Sequence, residues 1–365
     1  MTVTIAETEE TGSSSRLAGE PTGAVWSGDS LTGREELWRI PIPSGVVAEL
    51  IHAARSAISS GTEVGIGGAR PGGLPRSEEF AARLHRRLAG GPGFVVVTGF
   101  PVDRTDPREV EMAYWILGLL LGRPVSQSRK GDLLGRVEDR GADVSSPVQR
   151  GYESSAELPF HVDRTDVIGL LCVRPARSGG LSRLASSRYV HDVLADEHPE
   201  LLAELCRPFP NDRRGEEQPG ESPWCGIPVF SETGGDFAAR YVRRFIEGSQ
   251  RHASAPRLTE RQIAAMDALD RTLRRPGVAL DMELRAGDLQ LINNFHILHA
   301  RTAFTDGGGH GRLLLRLWLA FSGSPELPAD FASLYGATAA GSYRGGVWPT
   351  GVNPPGLGRP LAESG

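Results

Sequence analysis

The sequence predicts a mainly β protein with flanking helices, an α+β arrangement built around a distorted jelly roll. Three observations point there. Helical apolar spacing falls mostly early in the chain and a series of short strands falls late, with no regular βαβ alternation. No segment repeats another. Hydrophobic residues at 39% and charged residues at 23% can fill and solvate a core in spite of 46 glycines and 26 prolines, which excludes a disordered or collagen-like chain. At 365 residues the length fits one or two domains, and jelly rolls often run long as one. The expected division is a flexible tail (1–33), a single domain (34–325) and an irregular extension (326–365).

Residues 1–33 are rich in Thr, Ser, Gly and Glu without periodicity, the composition of a tail. Apolar residues recur at helical spacing over 46–59 and 77–88. A Gly-Gly-Pro-Gly turn then leads into the β-branched run at 94–98. Pro107 opens a helix carrying an apolar block to Gly122, and Gly/Arg/Asp-rich sequence follows to about residue 156. Strands are predicted at 158–163, 167–173 and 183–186, with a helix at 189–206. The segment 207–226 mixes prolines, glycines and charges. It is expected to be an irregular loop insertion over the active-site mouth, since long loops in compact domains tend to be functional. Helical spacing returns at 237–247 and 259–273, before strands at 278–284, 289–293, 296–302 and 312–321.

Charge and cysteine content narrow the function. Forty basic and 45 acidic side chains give a net charge of −5, with no basic excess to drive nucleic-acid binding. All but one of the basic residues are arginine, and Lys130 follows no Gly-rich phosphate loop, so that route to nucleotide hydrolysis is excluded. Cys172, Cys206 and Cys225 are odd in number, lack C-x-x-C spacing and follow no secretory pattern, so a reducing cytoplasm is expected. The longest strongly apolar run, 112–122, is too short to span a membrane.

His-x-Asp/Glu occurs twice, close to what composition alone would produce. His198-Pro-Glu200 lies in a charged helical stretch, where i and i+2 do not face one way. His161-Val-Asp163 follows Leu-Pro-Phe, a strand context in which i and i+2 share a face and can grip one ion. In the late strands His296 and His299 are three apart, so at most one reaches a metal held by His161 and Asp163. Two histidines and one carboxylate with open positions suit non-haem Fe(II). On the final strand Arg312 and Arg316 share a face with Leu314 and Trp318, while Leu313, Leu315, Leu317, Leu319 and Phe321 fill the other. Two guanidiniums facing a barrel interior need anionic partners, either protein carboxylates or a ligand carboxylate.

His161-Val-Asp163, Ser178-Gly-Gly-Leu-Ser182, Gly287-Asp288, Asn294, His299-Ala-Arg-Thr-Ala-Phe304 and Arg312 with Arg316 and Trp318 together resemble the taurine dioxygenase and clavaminate synthase-like family of Fe(II)/2-oxoglutarate-dependent oxygenases. The resemblance implies a double-stranded β-helix (jelly roll, cupin-like) with iron at its open end. It makes His161, Asp163 and His299 the catalytic iron ligands, His299 being preferred to His296 by the Arg-Thr-Ala-Phe that follows. Arg312 matches the residue that binds the distal carboxylate of 2-oxoglutarate. Ser182 stands where the family usually has a helping threonine, and Arg316 matches a position that in some members meets an anionic group of the prime substrate.

The activity implied is oxidation, by default hydroxylation, of a small molecule that could carry a carboxylate, with Fe(II), 2-oxoglutarate and O2 consumed to succinate and CO2. No nucleic acid or membrane partner is expected, and the sequence does not specify an oligomeric state. The alternatives are a non-oxidative cupin-like metalloenzyme and a metal-dependent ligand-binding protein. The latter would need the histidines and Asp163 but not Arg312 and Ser182 together.

Overall fold

The computed structural model describes residues 23–65, 71–141, 154–307 and 311–361. In chain order the elements begin with α1 (Gly28–Leu31), β1 (Arg39–Pro41), α2 (Ser44–Ser59), α3 (Pro75–Ala89), β2 (Phe94–Thr98), α4 (Pro107–Leu121), β3 (Arg123–Pro124) and β4 (Leu134–Val137). The middle of the chain forms β5 (Leu158–His161), β6 (Val167–Arg174), β7 (Ser178–Gly179), β8 (Ser182–Ser186), α5 (Ser187–Glu197), α6 (Pro199–Leu205), β9 (Pro208–Asp212), β10 (Trp224–Pro228), β11 (Phe230–Thr233) and β12 (Asp236–Ala239). It ends with α7 (Arg243–Gly248), α8 (Glu260–Arg274), β13 (Leu280–Met282), β14 (Leu289–Asn293), β15 (Ile297–Arg301), β16 (Phe304–Thr305), β17 (Leu313–Ala320) and α9 (Ala332–Tyr335).

Two sheets form the centre. The larger runs β1-β2-β14-β6-β17-β3, with β4 also on β17, and the smaller runs β13-β8-β15-β5. Among the described strands only β1–β2 pair in parallel; the other strand pairs are antiparallel, as in a jelly roll without full closure. Alternation along each strand sorts side chains into layers. Leu315, Leu317 and Leu319 of β17 pack outward with α2, α3 and α4, while Leu314 points inward against Leu184, Ile297 and Met282. On the other side Leu298 and Ala300 of β15 pack against α5, α6 and α8. Helix α4 lies close on the sheet because its contact is glycine: a Cβ at Gly118 would come within 2.5 Å of Leu317 Cδ1. Asp106 caps α4, and a capping box of Thr259 and Gln262 starts α8.

Several expectations need correction. The segment 207–226 is not irregular throughout: β9 and β10 form an antiparallel hairpin registered from Pro208↔Pro228 to Asp212↔Trp224. A hairpin standing apart from the main sheets tolerates proline, because its edges need no further N–H donor. The helix predicted at 237–247 is instead β12, paired to β11 across Gly234-Gly235, followed by α7. The helix predicted at 189–206 breaks at Pro199, whose missing N–H interrupts it. Residues 23–33, expected from the sequence to lie in a tail, carry α1 and bury Trp26 and Leu31 between the sheets; residues 1–22 lie outside the described residues.

The described part of the expected extension, 326–361, holds α9 and otherwise little regular structure, yet it is part of the core. Leu327, Phe331, Leu334 and Tyr335 are buried with Phe295, and Arg344 is completely buried. Arg344 Nε donates to Asp166 Oδ1 at 2.9 Å, while its other nitrogens donate to the carbonyls of Pro325, Thr338 and Ala339. Removing one partner of such a pair strands the other charge. Arg344→Met should therefore lower unfolding free energy by about 3–5 kcal/mol, read by urea denaturation; a loss within 0.5 kcal/mol, the usual scale of a surface change, would contradict this account.

Candidate active site

Strand register brings the expected ligands together. His161 at the end of β5 lies directly opposite His299 of β15, with ring centroids 4.3 Å apart. Asp163, two residues on, shares the face of His161. Ligand atoms from all three lie within 4.8 Å of one another, so one ion could touch each. His296 sits outside this cluster, in the β14–β15 turn.

The surroundings prepare each ligand. His161 Nδ1 lies 2.8 Å from Pro159 O, and since a carbonyl only accepts, that nitrogen carries the proton and Nε2 keeps its lone pair. Burial holds His161 below the ordinary imidazole range, against the opposing pull of Asp163. Burial, reinforced by His161, pushes His299 down to about 3. Both rings are therefore neutral, the form that ligates metal. Burial also works against the Asp163 carboxylate, but neighbouring positive charge, that of Arg316 foremost, outweighs it and keeps its pKa below the usual value. Trp318 Nε1 donates to Asp163 Oδ2 at 3.1 Å and Arg316 Nη1 lies 3.6 Å from the same oxygen. Oδ1 is the oxygen left facing His161, 3.9 Å from its Nε2. Two neutral nitrogens and one carboxylate oxygen fit Fe(II).

The trio lines a cavity of about 470 Å³ that also takes in Ser182, Arg312 and Arg316. Arg312 is buried over the Phe304 ring, and its Nη1 has no hydrogen-bond partner among the described residues. Burial lowers its pKa, though Cys172 and Asp306 oppose the shift. The Ser182 hydroxyl donates to Gln290 Oε1 at 3.0 Å. Arg316 Nε donates to Gln127 Oε1 at 2.6 Å, so part of this guanidinium is held by protein groups.

Arg301 was not singled out from the sequence. It pairs with Ser182 across the β15–β8 ladder, lines the same cavity and shares the Phe304 ring with Arg312. Burial and the nearby Arg312 lower its pKa to about 10. Its spacing of two from His299 on a predicted strand was the available signal. Gln127 and Gln290 carried no such signal, because their contacts come from strands distant in sequence.

Residues 59–318 match the taurine catabolism dioxygenase TauD, TfdA family. The chain belongs to that family. Membership makes this TauD/TfdA protein an oxygenase dependent on Fe(II), 2-oxoglutarate and O2. It is similar to FR-33289 synthase of Streptomyces rubellomurinus (strain ATCC 31215), 29% identical over 301 residues that cover 81% of this chain and 89% of that protein. Among solved structures it shares the fold of asparagine oxygenase in complex with Fe(II), 2S,3S-3-hydroxyasparagine and succinate (TM-score 0.57, 20% identity, 77% and 93% of the chains covered). It also shares the fold of the non-heme iron oxygenase OrfP in complex with Fe and alpha-ketoglutaric acid (TM-score 0.57, 17% identity, 77% and 93% covered). No helix among the described residues is long and apolar enough to cross a membrane.

Asn294 holds the turn that carries Asp163. Its side chain accepts from Asp163 N at 3.2 Å and donates to Asp163 O and Thr165 O. Asn294→Ala should leave these buried groups unpaired, cost about 2 kcal/mol or more in urea unfolding and weaken metal retention. Unchanged stability and metal content would show that the turn is held by other contacts.

Proposed function

We propose that this chain hydroxylates a small-molecule substrate at an iron held by His161, Asp163 and His299, with 2-oxoglutarate anchored through its distal carboxylate by Arg312. The observation that carries this reading is one cavity containing both the three-ligand cluster and a buried guanidinium whose Nη1 has no partner among the described residues. Iron with 2-oxoglutarate and O2 supplies the oxidising chemistry, decarboxylating the cosubstrate to succinate and CO2.

The chain's own residues bind and orient. Arg312 offers a charge-assisted fork to the distal carboxylate, with the Ser182 hydroxyl able to turn from Gln290 toward it. Trp318 and Arg316 fix which oxygen Asp163 presents. Arg316 keeps its place on the cavity wall as a candidate contact for a substrate acid. The β9–β10 hairpin brings Arg214 to the same cavity and is the element we assign to covering its mouth and excluding water. A non-oxidative cupin-like metalloenzyme would use the trio but leave Arg312 without a purpose. Three free cysteines, Cys172, Cys206 and Cys225, support placing the protein in a reducing cytoplasm.

Under anaerobic conditions, Fe(II) with 2-oxoglutarate should give the visible absorption of a chelated keto acid. Alanine at His161, Asp163 or His299 should abolish it and His296→Ala should not. Loss of iron from His296→Ala but not from His299→Ala would reverse the ligand assignment.

Succinate should form from 2-oxoglutarate only with Fe(II) and O2 present. Arg312→Ala should raise the KM for 2-oxoglutarate about tenfold or more, since losing a charge-assisted bond costs at least about 1.4 kcal/mol. Unchanged cosubstrate kinetics in a folded, iron-loaded Arg312→Ala protein would remove the anchor from the mechanism.

A further inference from the structure

A smaller cavity of about 60 Å³ adjoins the main one and shares His161, Asp163, Val242 and Phe245 as walls. Three arginines reach it from separate segments: Arg164 beyond β5, Arg213 after β9 and Arg240 after β12. Each has a buried Nε with no hydrogen-bond partner among the described residues. Nearby carboxylates answer two of them. Arg213 Nη1 donates to Glu221 Oε2 at 2.7 Å, and Arg164 feels the charge of Glu216. Asp212 is committed to Arg251 and His252, at 2.9 Å from each.

Arg240 is the remainder. It is 4% exposed, and its Nη1 donates to a backbone carbonyl, Val162 O, at 2.6 Å. It makes no ion pair among the described residues. Asp163 is the carboxylate whose charge feels Arg240, and a metal ion held by Asp163 would compensate that charge. A buried guanidinium in that position needs an anion from elsewhere.

We propose that the small cavity is a subsite for an anionic group of the prime substrate, a carboxylate or a phosphonate or phosphate oxyanion, bound by Arg240 beside the metal centre. The proposal rests on the oxygenase reading of the main cavity. With a water's share of liquid near 30 Å³, a space of this size takes a headgroup and not a whole substrate. The remainder of the substrate must pass the trio into the larger cavity, so the carbon oxidised lies a few bonds from the anionic group. Arg312 lines only the larger cavity, which keeps the cosubstrate anion and the substrate anion apart.

The mouth is built to match. Arg214 has a φ of 58°, the left-handed region that non-glycine residues rarely adopt. Asp212 Oδ1 accepts from its N–H at 2.8 Å, and its guanidinium lies 4.9 Å over the Phe245 ring. This bend turns consecutive arginines toward two cavities, Arg213 to the small one and Arg214 to the large one. A cationic rim favours the approach of an anion.

The test is calorimetric titration of acetate and, separately, methylphosphonate into anaerobic Fe(II) enzyme saturated with 2-oxoglutarate. At least one should bind, and which one binds more tightly distinguishes a carboxylate substrate from a phosphonate or phosphate one. Arg240→Gln should weaken that binding tenfold or more while 2-oxoglutarate still gives its visible absorption, and Arg213→Gln should weaken it several-fold. If neither anion binds the unmodified enzyme, or Arg240→Gln binds as well as it does, the proposal is overturned. Should Arg240→Gln fail to fold, undiminished binding in Arg213→Gln overturns it instead. If 2-oxoglutarate itself does not bind, the oxygenase reading fails, and titration without it still decides the anion subsite.

Discussion

Between the two sheets guanidinium outnumbers carboxylate, and the site is organised around that imbalance. Arg301 and Arg312 share one aromatic ring, and three of their nitrogens are buried without hydrogen-bond partners among the described residues. Among the described residues Arg301 Nη2 reaches only the carbonyls of Ser154 and Ala156. Asp163 is the carboxylate of the trio, and it already faces Arg316, Trp318 and the two imidazoles. Leaving charged groups buried and unpaired costs several kcal/mol, so an interior of this kind is incomplete without anions. A dicarboxylate cosubstrate is a ligand of the missing sign, and the proposed oxyanion of the prime substrate would be a second.

What keeps those charges from collapsing onto one another is the rigidity of the strands that carry them. The β5–β15 register sets the distance between His161 and His299. The same ladder sets Arg301 against Ser182, and alternation along β17 turns Arg316 inward while Leu315 and Leu317 anchor the strand to α4 and its neighbours. The outward leucines and the inward arginines are one constraint, because sliding β17 by one residue would exchange the two faces.

Much of this was legible in the sequence because its signals were local. The period-two pattern of 312–321 lies within one strand, and Asp163 stands only two residues past His161, in the turn that follows β5, so both signals are local. The β9–β10 hairpin was hidden by Pro208, Pro210 and Pro228, which ordinarily argue against a strand. The β11–β12 hairpin was legible in principle, since Gly234-Gly235 between two short runs is a two-residue turn signal, but helical spacing further on obscured it. Arg240 could not have been found: it stands in Ala-Arg-Tyr-Val-Arg-Arg, where nothing distinguishes a buried arginine from its exposed-reading neighbours. Its importance comes from Val162 and Asp163, nearly eighty residues away.

The C-terminal extension shows the same limit on a larger scale and explains why the site needs it. Asp166 lies three residues beyond Asp163. Its Oδ2 accepts from Phe321 N at the end of β17, and its Oδ1 accepts from Arg344, 178 residues further along the chain. One carboxylate thus fastens the turn carrying Asp163 to the strand carrying Arg316 and Trp318. Arg344 supplies the charge that lets this carboxylate stay buried, and Asn294 closes the turn from the other side. The position of Asp163 against its indole and guanidinium partners therefore depends on a residue in a segment whose glycine- and proline-rich sequence marks it as peripheral. Irregular backbone gives Arg344 the freedom to reach three carbonyls and a carboxylate at once, a coordination that a regular strand, with its own carbonyls already paired, would not offer.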